Sequence, residues 1–370
     1  MTVQMMATTD TTNAWTKELV QSHAITAVLI EMYTLPFYLT VMTSIVLPEQ
    51  EDQSTEAIFT NNVYKTILSV CIEEMLHLQL AANLCLALDI DASKIFQKPS
   101  YGQHIPYLAP YDPATMGPTI PNQTALLAGA LGPFNELTLK TMLDIETPKE
   151  FDSSLDHTTP QYPYATIGQM YDALMQGILE VEKERPVFGW STTHQQVLFT
   201  CGENYTQNAL RINQTIASLG DAQQAINLIC GQGEGIAQPD LPEPPYVEEQ
   251  FPVEELYRFY PTVKQGSGYS DPEPDDPAAL NGYSHYGRFL WIKNRIDQRN
   301  WPQTYSTSTS ESLTPTQSAA LHDLQAGFDT FFDTLIAMWS GGSAKTFFPE
   351  MLKLKSLPEN CWKAGVIPQW

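Results

Sequence analysis

Apolar residues recur at helical spacing along most of this chain, and strict alternation of the strand type is rare. The first pattern runs from about Trp15 to Leu47, and Pro36 inside it predicts a kink or a local bend. The polar stretch PEQEDQSTEA reads as a loop, and a second helix follows from about Ile58 to Leu88. The run QKPSYGQHIPYLAPYDPATMGPTIPNQ, rich in Pro, Gly and Tyr, reads as a long ordered loop. A third helix is predicted over roughly Thr124 to Ile145. Ala165 to Glu184 has a clear period, with Ile167, Met170, Tyr171, Leu174, Ile178 and Val181 recurring at helical spacing. Between Trp190 and Tyr205 the segment QQVLFT is the best short-strand candidate. A helix starts near Ser218, with Asp221 in its first turn, and stops at the glycines of GQGEG. Acidic proline-rich loops lead to a short helix in NGYSHYGRFLWIKNRI, a further helix over about Pro315 to Trp339, and an irregular tail, ENCWKAGVIPQW. The pattern predicts a mainly α fold with long Pro-rich ordered loops, consistent with a helical bundle. Residues 1–14 are expected to be a flexible N-terminus and 15–370 a single domain, with about 235–280 as acidic inserted loops.

Charge narrows the partners. The 370 residues hold 42 acidic and 19 basic side chains, a formal net charge of −23. Phosphate binding needs clustered Lys and Arg, so nucleic acid is excluded, and an anionic membrane surface with it. The most apolar run, AITAVLIEMYTLPFYLTVM, has about the ~20 residues of a membrane span. It contains Glu31 and Pro36 and stands alone, so it reads as a buried core helix with no membrane partner. The five cysteines show no CxxC pair or zinc spacing, which fits buried thiols in a reduced compartment. MTVQMMATTDTTNAW lacks a basic stretch followed by an apolar one, so a cytoplasmic location is expected.

The second helix raises a chemical question. In CIEEMLHLQLAANL the apolar positions Cys71, Met75, Leu78, Ala82 and Cys85 share a face, and Glu74 and His77 sit beside it one turn apart. A carboxylate and an imidazole at that spacing either grip a metal ion or form an ordinary buried polar pair. Glu73 points about 100° away and is expected to be the solvated member of the doublet. Glu31 in the first helix lies among Ala27, Val28, Leu35 and Tyr38, where a lone carboxylate is costly unless paired or metal-bound. A carboxylate-bridged di-metal site in a bundle needs such parts: Glu from two helices and Glu-x-x-His from two others. His23, two turns before Glu31, could support a ligand but reads rather as a solvated or satisfied core histidine, and GQGEGIAQ follows a helix rather than preceding one, so it is no phosphate cradle.

AVLIEMYTLPFYLTVMTSI followed by EEMLHLQLAANL resembles the ferritin-like domain of iminophenyl-pyruvate dimer synthases of violacein-type bisindole biosynthesis and their relatives. The resemblance continues in order through GPFNELTLKTMLDIETP, ATIGQMYDAL, AINLICGQGEG and YSHYGRFLWI, over roughly residues 15 to 370. It implies a ferritin-like four-helix core that binds one or two iron ions. By position it implies Glu31, Glu74 and His77 as ligands, with His285 as the second imidazole and Glu234 as a further carboxylate. Two positions depart from the pattern. Gln169 stands where relatives tend to carry a glutamate, and Gly282 stands three residues before His285 where a regular motif has Glu. Gln169, Tyr171 and Tyr286 are then candidates for weak ligation or for hydrogen bonding to ligands.

Two functions follow from the resemblance. One is an iron-dependent oxidase- or oxygenase-like enzyme of specialised metabolism, acting on a small amino-acid-derived or aromatic molecule. The other is a ferritin-like scaffold whose metal site has degraded, binding a ligand without redox chemistry; Gln169 and Gly282 favour it. A homo-oligomer is left open by either.

Overall fold

The computed structural model describes residues 14–49, 51–52, 54–101, 105–108, 131–147, 159–160, 162–188, 196–197, 215–234, 284–296, 299–308, 312–343 and 347–370. The N-terminal thirteen residues, the acidic loops within 235–280, Gly282, and the histidines at 104, 157 and 194 lie outside them.

Helix α1 spans Lys17–Thr43 and α2 spans Thr55–Ala87. Each begins on a hydroxyl cap: Thr16 accepts from the Leu19 N–H and Ser54 from the Ala57 N–H. α1 is buried all round over its central turns, while α2 keeps a partly exposed stripe through Lys65, Leu68, Ser69, Ile72 and Leu76. They are long and apolar enough to cross a membrane, yet 94% and 83% of their most apolar windows are buried inside the protein. They are core helices packed along each other. Pro36 sits inside a continuous α1. A proline leaves the carbonyls of the preceding turn short of donors; here the Tyr101 hydroxyl donates to the Tyr33 carbonyl at 2.6 Å.

A short α3 (Ala92–Ile95) follows, then α4 (Glu136–Ile145), α5 (Ile167–Glu184) and α6 (Leu219–Gly233). α5 packs on α1, α6 on α2, and α5 on α6, which closes a four-helix core. α7 (His285–Ile296) lies against α2 and α4. α8 (Pro315–Trp339) and α9 (Phe347–Lys363) form a hairpin docked on α1 through α9. The tail is tied to α1 as well: the Trp362 and Trp370 indoles donate to the Thr40 carbonyl and hydroxyl at 2.9 and 2.8 Å.

Three predicted elements differ. The third helix starts at Glu136 rather than near Thr124, because Asn135 caps it in a reciprocal box with Thr138; residues 124–130 lie outside the described ones. Of QQVLFT, Gln196 and Val197 are described, and they form no strand pairing. The Asn83 side chain instead takes both backbone groups of Val197, at 2.7 and 3.0 Å, and also accepts from the Trp339 indole. The tail expected to be irregular is helical through Lys363, with Pro358 tolerated inside α9. Burial of Cys361 and Trp362 outweighs the lost backbone bond there.

Of the readings that the sequence left open for His23, the structure shows the satisfied core histidine. Its Nδ1 donates to the Leu19 carbonyl at 2.8 Å, leaving Nε2 to accept from the Tyr164 hydroxyl at 3.2 Å. It stacks on Tyr107 at 3.9 Å, with Trp15 edge-on at 5.0 Å. Burial lowers its pKa to about 4 from 6.5. The unfolded chain therefore binds the proton first, so this residue's contribution to stability is present above pH 6.5 and is lost as pH falls toward 4. The expected loss at pH 5 relative to pH 7 is about 2 kcal/mol. Urea denaturation of wild type and His23→Gln at both pH values measures it: the variant should show the shallower dependence, and parallel behaviour would refute the assignment.

Candidate metal centre

Four segments converge on one buried point between α1 and α2. From α1 come Glu31, Thr34 and Tyr38, one and two turns apart on one face. From α2 come Glu73, Glu74 and His77; from the C-cap of α4, Glu146; from the start of α7, His285 and Arg288. All of these side chains are buried.

Glu74 is central. Its Oε1 lies 2.8 Å from His285 Nδ1 and 3.7 Å from His77 Nδ1, and its Oε2 accepts from the Thr34 hydroxyl at 2.7 Å. Glu31 Oε2 is 3.8 Å from His77 Nδ1, and Glu31 Oε1 accepts from the Tyr171 hydroxyl at 2.7 Å. Glu146 Oε1 accepts from the Tyr38 hydroxyl at 2.5 Å and lies 3.6 Å from His285 Nδ1. One ligand atom each from Glu74, His77 and His285 fall within 4.8 Å of one another, as one cation would require. The two imidazoles are stacked with centroids 5.1 Å apart.

Their outer nitrogens fix which atoms face inward. His77 Nε2 meets Gln232 Oε1 at 3.0 Å, and His285 Nε2 meets Glu73 Oε2 at 3.1 Å. Both partners accept only, so each Nε2 is assigned the proton and each Nδ1 turns to the cluster. His285 Nδ1 makes no hydrogen bond, although Glu74 Oε1 is at hydrogen-bonding distance. The oxygen lies off the direction in which the nitrogen points.

Charge is the dominant fact here. Glu31, Glu73, Glu74, Glu146 and Glu234 are all buried, while Arg288 is the only buried Lys or Arg among the described residues. Two like charges about 4 Å apart repel by about 4 kcal/mol at an effective dielectric of about 20, so all five cannot be ionised without added cation. Burial, with Glu74 beside it, pushes Glu31 well above the carboxylate range. Burial likewise raises Glu146, partly offset by His285. Burial would raise Glu74 and Glu73 too, but His285 outweighs it at Glu74, and Arg288 with His285 at Glu73, so both end lowered. Burial brings His77 down to about 4. Burial also works against a charged His285, but Glu146, Glu73 and Glu74 together raise it. Glu31 and Glu146 both resist carrying charge here, and a bound metal cation would supply the missing counter-charge. A set of carboxylates and imidazoles suits iron, manganese or zinc, so the residues present fit a metal.

A cavity of about 20 Å³ adjoins the cluster, lined by Glu31, Glu74, His77, Glu146, Tyr171 and Glu234, with Ile30, Ile145, Ile167 and Ile229 as its apolar wall. That is room for a water or two.

Of the residues singled out in the sequence, Glu31, Glu74, His77 and His285 meet at this point, and Tyr171 reaches it through Glu31. Glu234 lines the cavity, but its carboxylate caps α5, accepting from the Gly168 N–H. Gln169 is not part of the cluster: as the third residue of a capping box, its Oε1 turns back to the Ala165 and Thr166 N–H groups. Tyr286 is half-buried and does not line the cavity. Glu73, expected in solvent, is buried with Arg288 Nη2 at 2.8 Å, because α7 covers that side of α2. Glu146 was missed. It follows a helix end in DIETP with no partner at a recognisable spacing, yet it supplies the carboxylate that Gln169 and Gly282 lack.

The fold and this cluster define a helical bundle with a candidate carboxylate–histidine metal site. A family model described as ferritin-like matches residues 25–250 of the 370, and the chain belongs to that family. A solved structure titled as a ferritin-like protein from Caulobacter vibrioides matches with a TM-score of 0.63. It is 24% identical over 97% of this chain and 100% of its own, a likeness of fold. A search of curated proteins gives no match.

Glycines seat two of the carboxylates. A Cβ on Gly168 would collide with the Glu234 carboxylate, and one on Gly233 would come 3.1 Å from Glu146 Oε2. Gly220, by contrast, has only Ser218 Oγ at 3.8 Å. Gly168→Ala is expected to destabilise by about 1–3 kcal/mol, and Gly220→Ala to stabilise by about 0.4–1 kcal/mol. Urea denaturation of both variants checks the pair; equal effects would contradict the packing described.

Proposed function

We propose that this protein is a metal-dependent enzyme, loaded with one or two iron ions, that oxidises a small amino-acid-derived or aromatic molecule in specialised metabolism. The observation that carries the reading is the buried convergence of Glu74, His77 and His285, with His285 Nδ1 buried and without a hydrogen bond. Glu31, Glu74, Glu146, His77 and His285 would hold the metal, and Glu234 is the reserve carboxylate at the cavity wall. Bound iron would supply redox chemistry toward dioxygen or an oxidisable substrate. The hydroxyls of Tyr171, Tyr38 and Thr34 orient Glu31, Glu146 and Glu74, which removes the reorganisation that free carboxylates would need. Ile30, Ile145, Ile167 and Ile229 keep bulk water from the cluster. The cavity has room for a diatomic molecule or water but not for an aromatic ring, so an aromatic substrate reacts at its mouth or after the wall moves. The imine-coupling chemistry of the violacein-type synthases is one form this reading takes, in a cytoplasmic protein.

Metal content tests the proposal. Protein purified from iron-supplemented culture should carry one or two irons per chain; Glu74→Ala should lose them, and His77→Ala should lower the content of a protein that holds two. Glu146→Ala should reduce the content of a protein that holds two. A wild type free of iron, manganese, zinc and copper would reject the enzyme and leave the non-redox scaffold.

A further inference from the structure

The two inward-facing imidazoles are backed by different chemistry, and the proposed metal centre is therefore unequal. His77 donates from Nε2 to the neutral amide oxygen of Gln232 at 3.0 Å. His285 donates from Nε2 to the carboxylate of Glu73 at 3.1 Å. Glu73 is itself fixed: its other oxygen takes Arg288 Nη2 at 2.8 Å, and Arg288 Nη1 donates to the Ser69 hydroxyl at 2.9 Å. Every member of this chain of contacts except Ser69 is buried, and Ser69 is half-buried. Glu73 and Glu74 are neighbours in sequence, so consecutive residues of α2 face the two nitrogens of one ring.

A carboxylate behind a histidine fixes its orientation and raises the donor strength of the opposite nitrogen more than an amide does. It also adds negative charge near the ligand, and the compensating guanidinium is bonded to the far oxygen. We infer that Glu73 and Gln232 are positioning residues that rank the two halves of the centre: the His285–Glu146 half takes the first metal ion, and the His77–Glu31 half the second. The inference rests on the metal-binding reading and adds an order of filling to it.

Cobalt(II) titration of the metal-free protein, followed by visible absorption and calorimetry, tests this. Two steps are expected, the tighter removed by His285→Ala and the weaker by His77→Ala. Glu73→Gln should weaken the tighter step by about 10–100-fold and leave the weaker one unchanged, with Glu73→Asp restoring most of the loss. Gln232→Glu should tighten the weaker step. A single equivalent lost only in His285→Ala also supports the ranking, and one lost only in His77→Ala, or equally in both variants, overturns it. Unchanged titrations for both Glu73→Gln and Gln232→Glu overturn it while leaving the metal-binding reading intact. A wild type that binds neither cobalt nor iron removes both.

Discussion

Negative charge confined to a buried interior is the constraint around which this bundle is organised. Five carboxylates share the space between α1, α2 and their neighbours, and one guanidinium reaches them. Such an arrangement is unstable unless protons, imidazolium or metal supplies positive charge. The neighbouring chemistry is consistent with that need. Three hydroxyls aim at carboxylate oxygens, and each histidine is turned so that its Nδ1 faces the cluster. The length and apolarity of α1 and α2 follow too, because water at their middle turns would dissipate the electrostatics of the centre.

Much of the architecture is legible in the chain, because a buried amphipathic or all-apolar helix leaves a direct periodic trace. α1, α2, α5 and α8 fall close to where the spacing puts them. Errors arise where a local signal is outweighed by packing. The tail ENCWKAGVIPQW reads as irregular, yet Cys361 and Trp362 bury well enough to carry α9 through Lys363. QQVLFT has strand composition, but the Asn83 amide satisfies Val197 in place of a neighbouring strand.

The site divides in the same way. Glu31, Glu74 and His77 announce themselves as polar groups against apolar surroundings within one or two turns. His285 emerges through the resemblance rather than through any spacing. Glu146, Glu73 and Arg288 carry no local mark. The Tyr38–Glu146 bond joins residues 108 apart and the Glu73–Arg288 bond residues 215 apart. Only the folded chain brings them together. The gap left by Gln169 and Gly282 suggested a degraded centre, whereas a carboxylate from the end of α4 fills the same electrostatic role.

The grip of Glu73 and Glu74 on His285 has a mechanical side. One ring lies between consecutive residues of α2, bonded to Glu73 through Nε2 with Glu74 Oε1 2.8 Å from Nδ1, and one turn further on Arg288 returns to the same Glu73. Sliding α7 by one residue, about 1.5 Å, or rotating it by about 100°, would break these contacts together. α7 is therefore a fixed strut. Any widening of the cavity to admit a larger molecule has to come from the opposite wall, where α5 and α6 meet across Gly168 and Glu234.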